Sequence, residues 1–194
     1  FPYSSCTHRV KLMMSLLGIE CEDKLVDLAK GAQRPPEFLA LNPVGQVPVL
    51  VEDDAALFDS HAILLYLAET YGGQVWWPPV AWQRALVSQW LFFNANELHN
   101  SIGAARNVLT FGIPGDAAPA SRRAAAALAT MESRLGERDW LELGRPTIAD
   151  VACCPLVEVA GEAGLDLSPF PGVHRWLENL RALPGYVKMP RLRR

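Results

Sequence analysis

No stretch of this chain approaches the roughly 20 apolar residues needed to cross a bilayer as a helix, although half of its 194 residues are hydrophobic. No Lys/Arg cluster interrupts it before Arg191, Arg193 and Arg194, and the net charge is −3, a poor match to a nucleic-acid binder. Cysteine is sparse. Cys6, Cys21, Cys153 and Cys154 match no zinc-ligand spacing and form no Cys-x-x-Cys, so neither a metal finger nor a thioredoxin-type dithiol is expected. No secretory leader is visible, and reduced thiols in the cytoplasm are the expected state. Internal repeats and low-complexity tracts are missing too; the alanines at 124–127 are simply good helix formers. The chain opens at Phe1-Pro2, just before a helical pattern, so a strand is expected to precede Phe1. With a fifth of its residues charged, the composition is that of an ordinary globular protein, of one domain or two small ones.

What is present is most specific between Asn42 and Leu64. Asn42-Pro43-Val44-Gly45-Gln46-Val47-Pro48 reads as a turn running into a strand led by proline, where the ladder loses a donor and a cis peptide is accessible. Strands near Val47–Val51 and Ala56–Phe58 are split by a turn at Glu52-Asp53-Asp54. A helix then opens on Asp59-Ser60 and runs to about Tyr71. A hydroxyl and free N–H groups at a helix N-terminus attract carboxylates. Extended backbone beside Val47 and a carboxylate pocket at Ser60 together describe a site for a small anionic peptide.

Elsewhere the pattern is mainly helical. Apolar residues from about Cys6 to Leu17 form a helix stopped by Gly18, and Cys21–Leu28 alternates as a strand. Pro35–Leu41 reads as a short helix with proline in its first turn. Gly72–Pro79 is the linker, punctuated by Trp76-Trp77-Pro78-Pro79. Trp82, Leu86, Trp90 and Phe93 mark a long amphipathic helix broken at Gly112–Gly115. Ala124, Leu128, Met131 and Leu135 mark another. Thr147-Ile148-Ala149-Asp150 resembles a capping box with Asp in the Glu position. Val173, Trp176, Leu177 and Leu180 mark the last helix. Cys153-Cys154 reads as inert core, and His61 and His174 as helix-surface residues.

An α/β half with a proline-led strand, followed by an all-helical half, resembles the soluble glutathione transferases. The motifs that carry the likeness are Asn42-Pro43-x-x-Gln46-Val47-Pro48, Asp59-Ser60-x-Ala62-Ile63 and Arg145-Pro146-Thr147-Ile148-Ala149-Asp150. Ser4-Ser5-Cys6 is similar to the opening of the zeta class, and the remainder looks like bacterial transferases of unassigned substrate, many of which carry Ser-Gly-Asn there. The resemblance implies an α+β fold: a thioredoxin-like N-terminal domain (1–72) with a mixed sheet and flanking helices, a linker (73–80), and an all-α C-terminal domain (81–194). It implies a homodimer, glutathione as co-substrate, a small hydrophobic electrophile as partner, and no metal or nucleotide.

The resemblance also assigns roles. Ser4 matches the zeta-class serine that holds the glutathione thiolate, with Ser5 beside it; either serine could instead be only a helix cap. Cys6, at the same positive helix end, has two readings: a thiol able to form a mixed disulfide with glutathione, or a small buried residue. Val47 would pair with the cysteinyl backbone, held by Pro48. Asp59 and Ser60 would take the γ-glutamyl group, and Gln33 the glycine carboxylate. Asn96, His99, Asn100 and Arg106 would lie on one helix face and line the electrophile pocket, although a solvated or dimer-facing stripe fits that pattern equally. A zeta-like isomerase and a non-catalytic transferase-fold binding module remain the alternatives.

Overall fold

The computed structural model describes residues 1–192. Its N-terminal part is α1 (Ser5–Leu17), α2 (Pro36–Leu41), a hairpin of β1 (Val49–Glu52) and β2 (Ala55–Phe58), and α3 (Ser60–Tyr71). A short α4 (Gly73–Trp76) sits inside the expected linker. The helical part is α5 (Ala81–Phe93), a π-helical segment Asn94–Gly103, α6 (Ala104–Leu109), α7 (Ala117–Leu135), α8 (Ile148–Glu158) and α9 (Pro171–Arg181).

β1 and β2 pair antiparallel with Val49 opposite Phe58 and Glu52 opposite Ala55, around the two-residue turn Asp53-Asp54. The peptide Val47–Pro48 is cis, as its position at the head of a strand leads one to expect. The expected strand at Cys21–Leu28 is not formed. Those residues run as coil into a 3-10 turn at Leu28–Lys30, because no other strand among the described residues supplies a ladder for them. Alternation alone cannot make a strand; it needs a partner for its N–H and C=O groups.

α1 is the central element. It packs against α3 on one side and α8 on the other, with Leu12 and Met13 fully buried, and Gly18 closes it in the left-handed region. A single apolar core runs from α1 through α3, α5, α7, α8 and α9. α7 and α9 bury the residues their periodicity marks: Ala124, Leu128, Met131 and Leu135, and Val173, Trp176, Leu177 and Leu180. On α5 the buried residues are Val87, Trp90 and Leu91, while Trp82 is 73% exposed. α8 packs against α5, with Cys153 Sγ 3.7 Å from Trp90 O.

α8 is the most deeply enclosed helix; every residue from Ile148 to Glu158 is buried. Its start is fixed by the capping box. Thr147 Oγ1 accepts from Ala149 N–H, and Asp150 Oδ2 accepts from Thr147 N–H at 2.9 Å. Asp150 Oδ1 also accepts from Leu141 N–H (3.0 Å) and Trp176 Nε1–H (2.9 Å). One carboxylate therefore ties α8 to the preceding loop and to α9. At the chain end, Arg191 Nη2 donates to Glu158 O at 2.7 Å; Arg193 and Arg194 lie outside the described residues. Among the described residues no helix is long and apolar enough to cross a membrane.

Asp150→Ala strands these buried donors, each costing about 1–3 kcal/mol when unpaired. The expected loss is at least ~3 kcal/mol, which at this size lowers the thermal midpoint by roughly 6–12 °C. Calorimetry showing an unchanged midpoint would remove Asp150 as the tie between α8 and α9.

Candidate functional site

The N-terminus of α1 meets α3 and the π-helical segment, and most polar side chains of interest gather there. Ser4 is the N-cap of α1, its Oγ accepting from Thr7 N–H at 3.2 Å. A hydroxyl used only as an acceptor keeps its own proton to donate. The preceding carbonyl, Tyr3 O, accepts from Arg106 Nη1 at 2.8 Å, and Arg106 Nε pairs with Glu162 at 2.7 Å. The loop carrying Ser4 is thus anchored to the helical half. Ser5 is buried beneath it and Cys6 is half-buried.

Cys6 lies in the first turn of α1, where unpaired N–H groups favour an anion. Burial pushes its thiol up. Hydrogen bonding with His99 and Ser60 and the positive charges of Arg9 and His99 outweigh that and bring it down to about 7. Reciprocally, hydrogen bonding to Cys6 raises His99 above the usual imidazole range, against the opposing effect of burial. Sulfur and imidazole together favour a thiolate–imidazolium pair near neutral pH. Cys153 and Cys154 differ: complete burial holds both far above the usual thiol range, as expected of inert core.

Arg9, one turn along α1, is 1% exposed. Its Nη1 donates to Ser60 Oγ at 3.2 Å and to His61 Nε2 at 2.7 Å. Since guanidinium only donates, His61 Nε2 is the acceptor and Nδ1 carries the proton, 3.5 Å from Asp59 Oδ1. His61 Nε2 is also 3.0 Å from Asn94 Oδ1, while Asn94 Nδ2 is buried without a partner. Turning the Asn94 amide lets Nδ2 donate to the ring and removes an approach of two acceptors. Asp59 caps α3, accepting from His61 N–H (2.8 Å) and Ala62 N–H (3.1 Å). Its backbone, φ +69° and ψ +120°, is one that non-glycine residues rarely adopt and costs about 1–3 kcal/mol. The two cap bonds and the turn out of β2 hold it there, delivering buried Ser60 to Arg9.

The adjoining loops carry the remaining candidates. Asn42 is buried; its Nδ2 donates to Gln46 O at 2.8 Å and its Oδ1 accepts from Val44 N–H, shaping the turn before Val47–Pro48. Gly45 has φ +65°, and a Cβ there would come within 3.2 Å of Gln33 O, so glycine lets the Gln33 loop lie against this turn. Gln33 is half-buried with Oε1 unpartnered. Val47 N–H and C=O make no hydrogen bond among the described residues. A concavity of about 820 Å³ lies elsewhere, against the hairpin at Leu50, Glu52, Leu57 and Tyr66.

Of the expected polar stripe, Asn96, His99 and Asn100 are exposed, as a solvated stripe would be, and Arg106 leaves it for the interior. His99 reaches Cys6. Asn96 and Asn100 are exposed and bond to each other, and Asn100 O accepts from Arg123 on α7. Arg106 is buried in its pair with Glu162, with its guanidinium 4.8 Å from the Phe111 ring. Residues 94–103 form i→i+5 bonds, so the turn is wider than the 3.6-residue spacing on which the stripe rests. His61 is enclosed rather than on the surface, its side chain 15% exposed. Arg9, His61 and Asn94 carry no local signal; only an arginine at an otherwise apolar position of α1 hinted at a buried partner.

The family model described as glutathione S-transferase, N-terminal domain, matches residues 3–70, and that for the glutathione S-transferase C-terminal domain matches residues 114–184. Glutathione S-transferase 2 of Anopheles gambiae is 32% identical over 190 residues, 95% of this chain and 90% of its own. A glutathione S-transferase structure from Xanthobacter autotrophicus is 36% identical, with a TM-score of 0.91 over 98% of this chain and 94% of that one. Ure2p in complex with glutathione is 25% identical, with a TM-score of 0.88 over 94% and 92%.

Burial, reinforced by the charge of Arg9, brings His61 down to about 4. The unfolded imidazole titrates near ~6.5. Between those values the unfolded chain binds a proton that the folded one refuses, so this contribution to stability is full above ~6.5 and is lost as pH falls toward 4. The His61 ring resonances are expected to stay those of a neutral Nδ1–H tautomer from pH 7.5 to 5 by NMR. His61→Gln should narrow the drop in thermal midpoint between pH 7 and pH 5. Titration of His61 near pH 6.5 would contradict the assignment.

Proposed function

The chain belongs to the glutathione S-transferase family, and on that premise we propose that it holds glutathione with its sulfur at the start of α1, stabilises the thiolate there, and directs it at a small hydrophobic electrophile. The observation that carries this reading is the set of groups at that helix end: the free Ser4 proton, the unpaired N–H groups of the first turn, and the positive charge of Arg9. A thiol is a weak nucleophile at neutral pH until a sulfur-directed donor and a favourable field lower its pKa. Ser4 is the proposed donor. Ser5, buried beneath, supports the turn.

The rest of the peptide would lie along the neighbouring loops. The unbonded N–H and C=O of Val47 can pair with its backbone as an added strand. Ser60 and the α3 N-terminus suit the γ-glutamyl carboxylate, and Asp59 the ammonium. Gln33 would meet the glycine end. Glutathione in the Ure2p complex supports this ligand. The electrophile would enter beside His99, with exposed Asn96 and Asn100 farther along the same segment. No metal or nucleotide is required for this chemistry. We divide the chain into a glutathione-binding domain (1–72), a linker (73–80) and a helical domain (81–194), and place it in the cytoplasm.

A second reading rests on Cys6, whose thiol is held near neutrality. Its thiolate would attack a glutathione mixed disulfide, form Cys6–S–S–glutathione and release the other thiolate, which takes a proton. A second glutathione would then regenerate Cys6 and leave as glutathione disulfide. Ser4→Ala should depress conjugation of chlorodinitrobenzene ~10-fold or more, the lower range for a lost sulfur-directed donor. Cys6→Ser should spare conjugation and abolish mixed-disulfide reduction. Loss of conjugation in Cys6→Ser but not in Ser4→Ala would transfer the central role to Cys6.

We also propose a homodimer. Val80, Trp82 and Phe92 expose large apolar surface, Phe92 to 71%, as a two-fold interface would use. Sedimentation at micromolar concentration should give a dimer; a monomer alone would refute it.

A further inference from the structure

Arg9 is a buried charged side chain in a place that offers it no direct ion pair. Among the described residues no carboxylate oxygen lies within 4.0 Å of its guanidinium. Only Nη1 is bonded, to Ser60 Oγ and to His61, while Nε and Nη2 are buried without partners. Guanidinium does not deprotonate in proteins, and a buried charge lacking its partner is strongly destabilising. Packing alone gives no reason to keep arginine here, since an apolar side chain of similar length would fill the space.

We propose that Arg9 is a positioning residue for the sulfur chemistry at the start of α1: its guanidinium is the counter-charge of a Cys6 thiolate and, while no peptide carboxylate occupies the α3 N-terminus, turns the Ser60 hydroxyl so that its hydrogen faces that sulfur.

Three observations carry this. Arg9 and Cys6 stand three residues apart on α1, on one face of the helix. Arg9 Nη1 donates to Ser60 Oγ, so that oxygen's lone pair is used and its own hydrogen is left to point away from the arginine. Ser60 is in turn near enough to Cys6 to help draw its thiol down. The other groups around the sulfur and the guanidinium are accounted for. On α1 there is only Arg9. From the π-helical segment comes His99, a second positive neighbour of the sulfur. From the start of α3 come Asp59, whose Oδ1 is taken by two backbone N–H groups, and His61, held neutral. From α8 come Asp150, engaged by its own four donors, and Cys153, whose thiol burial keeps protonated. Asp59 is the carboxylate that acts on Arg9 from beyond ion-pair distance, and Cys6 is the group on the arginine's own helix face that can add a second anion.

The inference rests on the reading of the α1 start as a sulfur site, but its test needs neither glutathione nor an electrophile. The probe is iodoacetamide, with alkylation of Cys6 followed against pH by peptide mass spectrometry. Exposed Cys21 in the same molecule is the internal reference. Arg9→Met should move the midpoint of Cys6 alkylation upward by about one pH unit, a roughly tenfold fall in rate at pH 6. It should do so without lowering the thermal midpoint, because a solitary buried charge is removed. Arg9→Lys should retain much of the effect through its charge. Ser60→Ala should shift the midpoint in the same direction by less. An unmoved Cys6 midpoint in a folded Arg9→Met protein would overturn the proposal. Should Arg9→Met fail to fold, the neutral Arg9→Gln takes its place: an unmoved Cys6 midpoint there would overturn the proposal, and an upward shift would support it. Loss of conjugation with an unmoved midpoint would count against this inference alone. A shifted midpoint in a protein that conjugates nothing would count against the transferase reading alone.

Discussion

The site depends on α1 being enclosed by α3 and α8 while its N-terminal end stays accessible. Leu12 and Met13 vanish into the core between those helices, which fixes the axis of α1. With the axis fixed, the unpaired N–H groups of its first turn, the Ser4 cap and the Cys6 sulfur all point to one place. The same enclosure carries Arg9 inward. A helix that packs on two sides has few positions at which a long cation can reach water, and Arg9 is not at one of them. Its contacts with Ser60 and His61 are therefore a consequence of the packing that makes the helix end useful.

The neighbouring elements are held to that end by polar ties of different reach. Asp59 stops β2 and starts α3 in a single strained residue, which sets Ser60 at the depth of Arg9. Arg106 links the Tyr3 carbonyl to Glu162 in the helical half, so the loop carrying Ser4 is positioned by a residue far along the chain. His99 comes from the wide π turn and acts on the sulfur from the helical half. Asp150 does the same structural work at α8, joining its start to α9 and thereby holding the wall on which α1 rests.

Much of this was legible in the chain. The caps and breaks of α1, α3 and α8, the hairpin turn at Asp53-Asp54 and the cis Val47–Pro48 peptide depend on neighbours within a few residues, and their residue types state them directly. The buried faces of α7 and α9 follow from periodicity alone. The strand expected at Cys21–Leu28 did not form, because alternation describes a face and says nothing of a ladder partner. Of the stripe from Asn96 to Arg106, the first three residues stay exposed while Arg106 turns inward to Glu162, because the π-helical segment between them does not keep a 3.6-residue period.

By itself the sequence determined most of the helices and their ends, the hairpin, the family resemblance and the residues offered to an anionic peptide, since each is written in local chemistry or in motif spacing. Only the tertiary structure decided what surrounds Cys6: Arg9 without a direct ion pair, His61 enclosed and neutral, Ser60 turned by a guanidinium, and His99 brought across from the helical half. Those facts join residues between 33 and 93 positions apart. Charge, burial and hydrogen-bond direction at such a junction exist only after the helices have packed, because it is the packing that removes the water which would otherwise have answered every one of those groups.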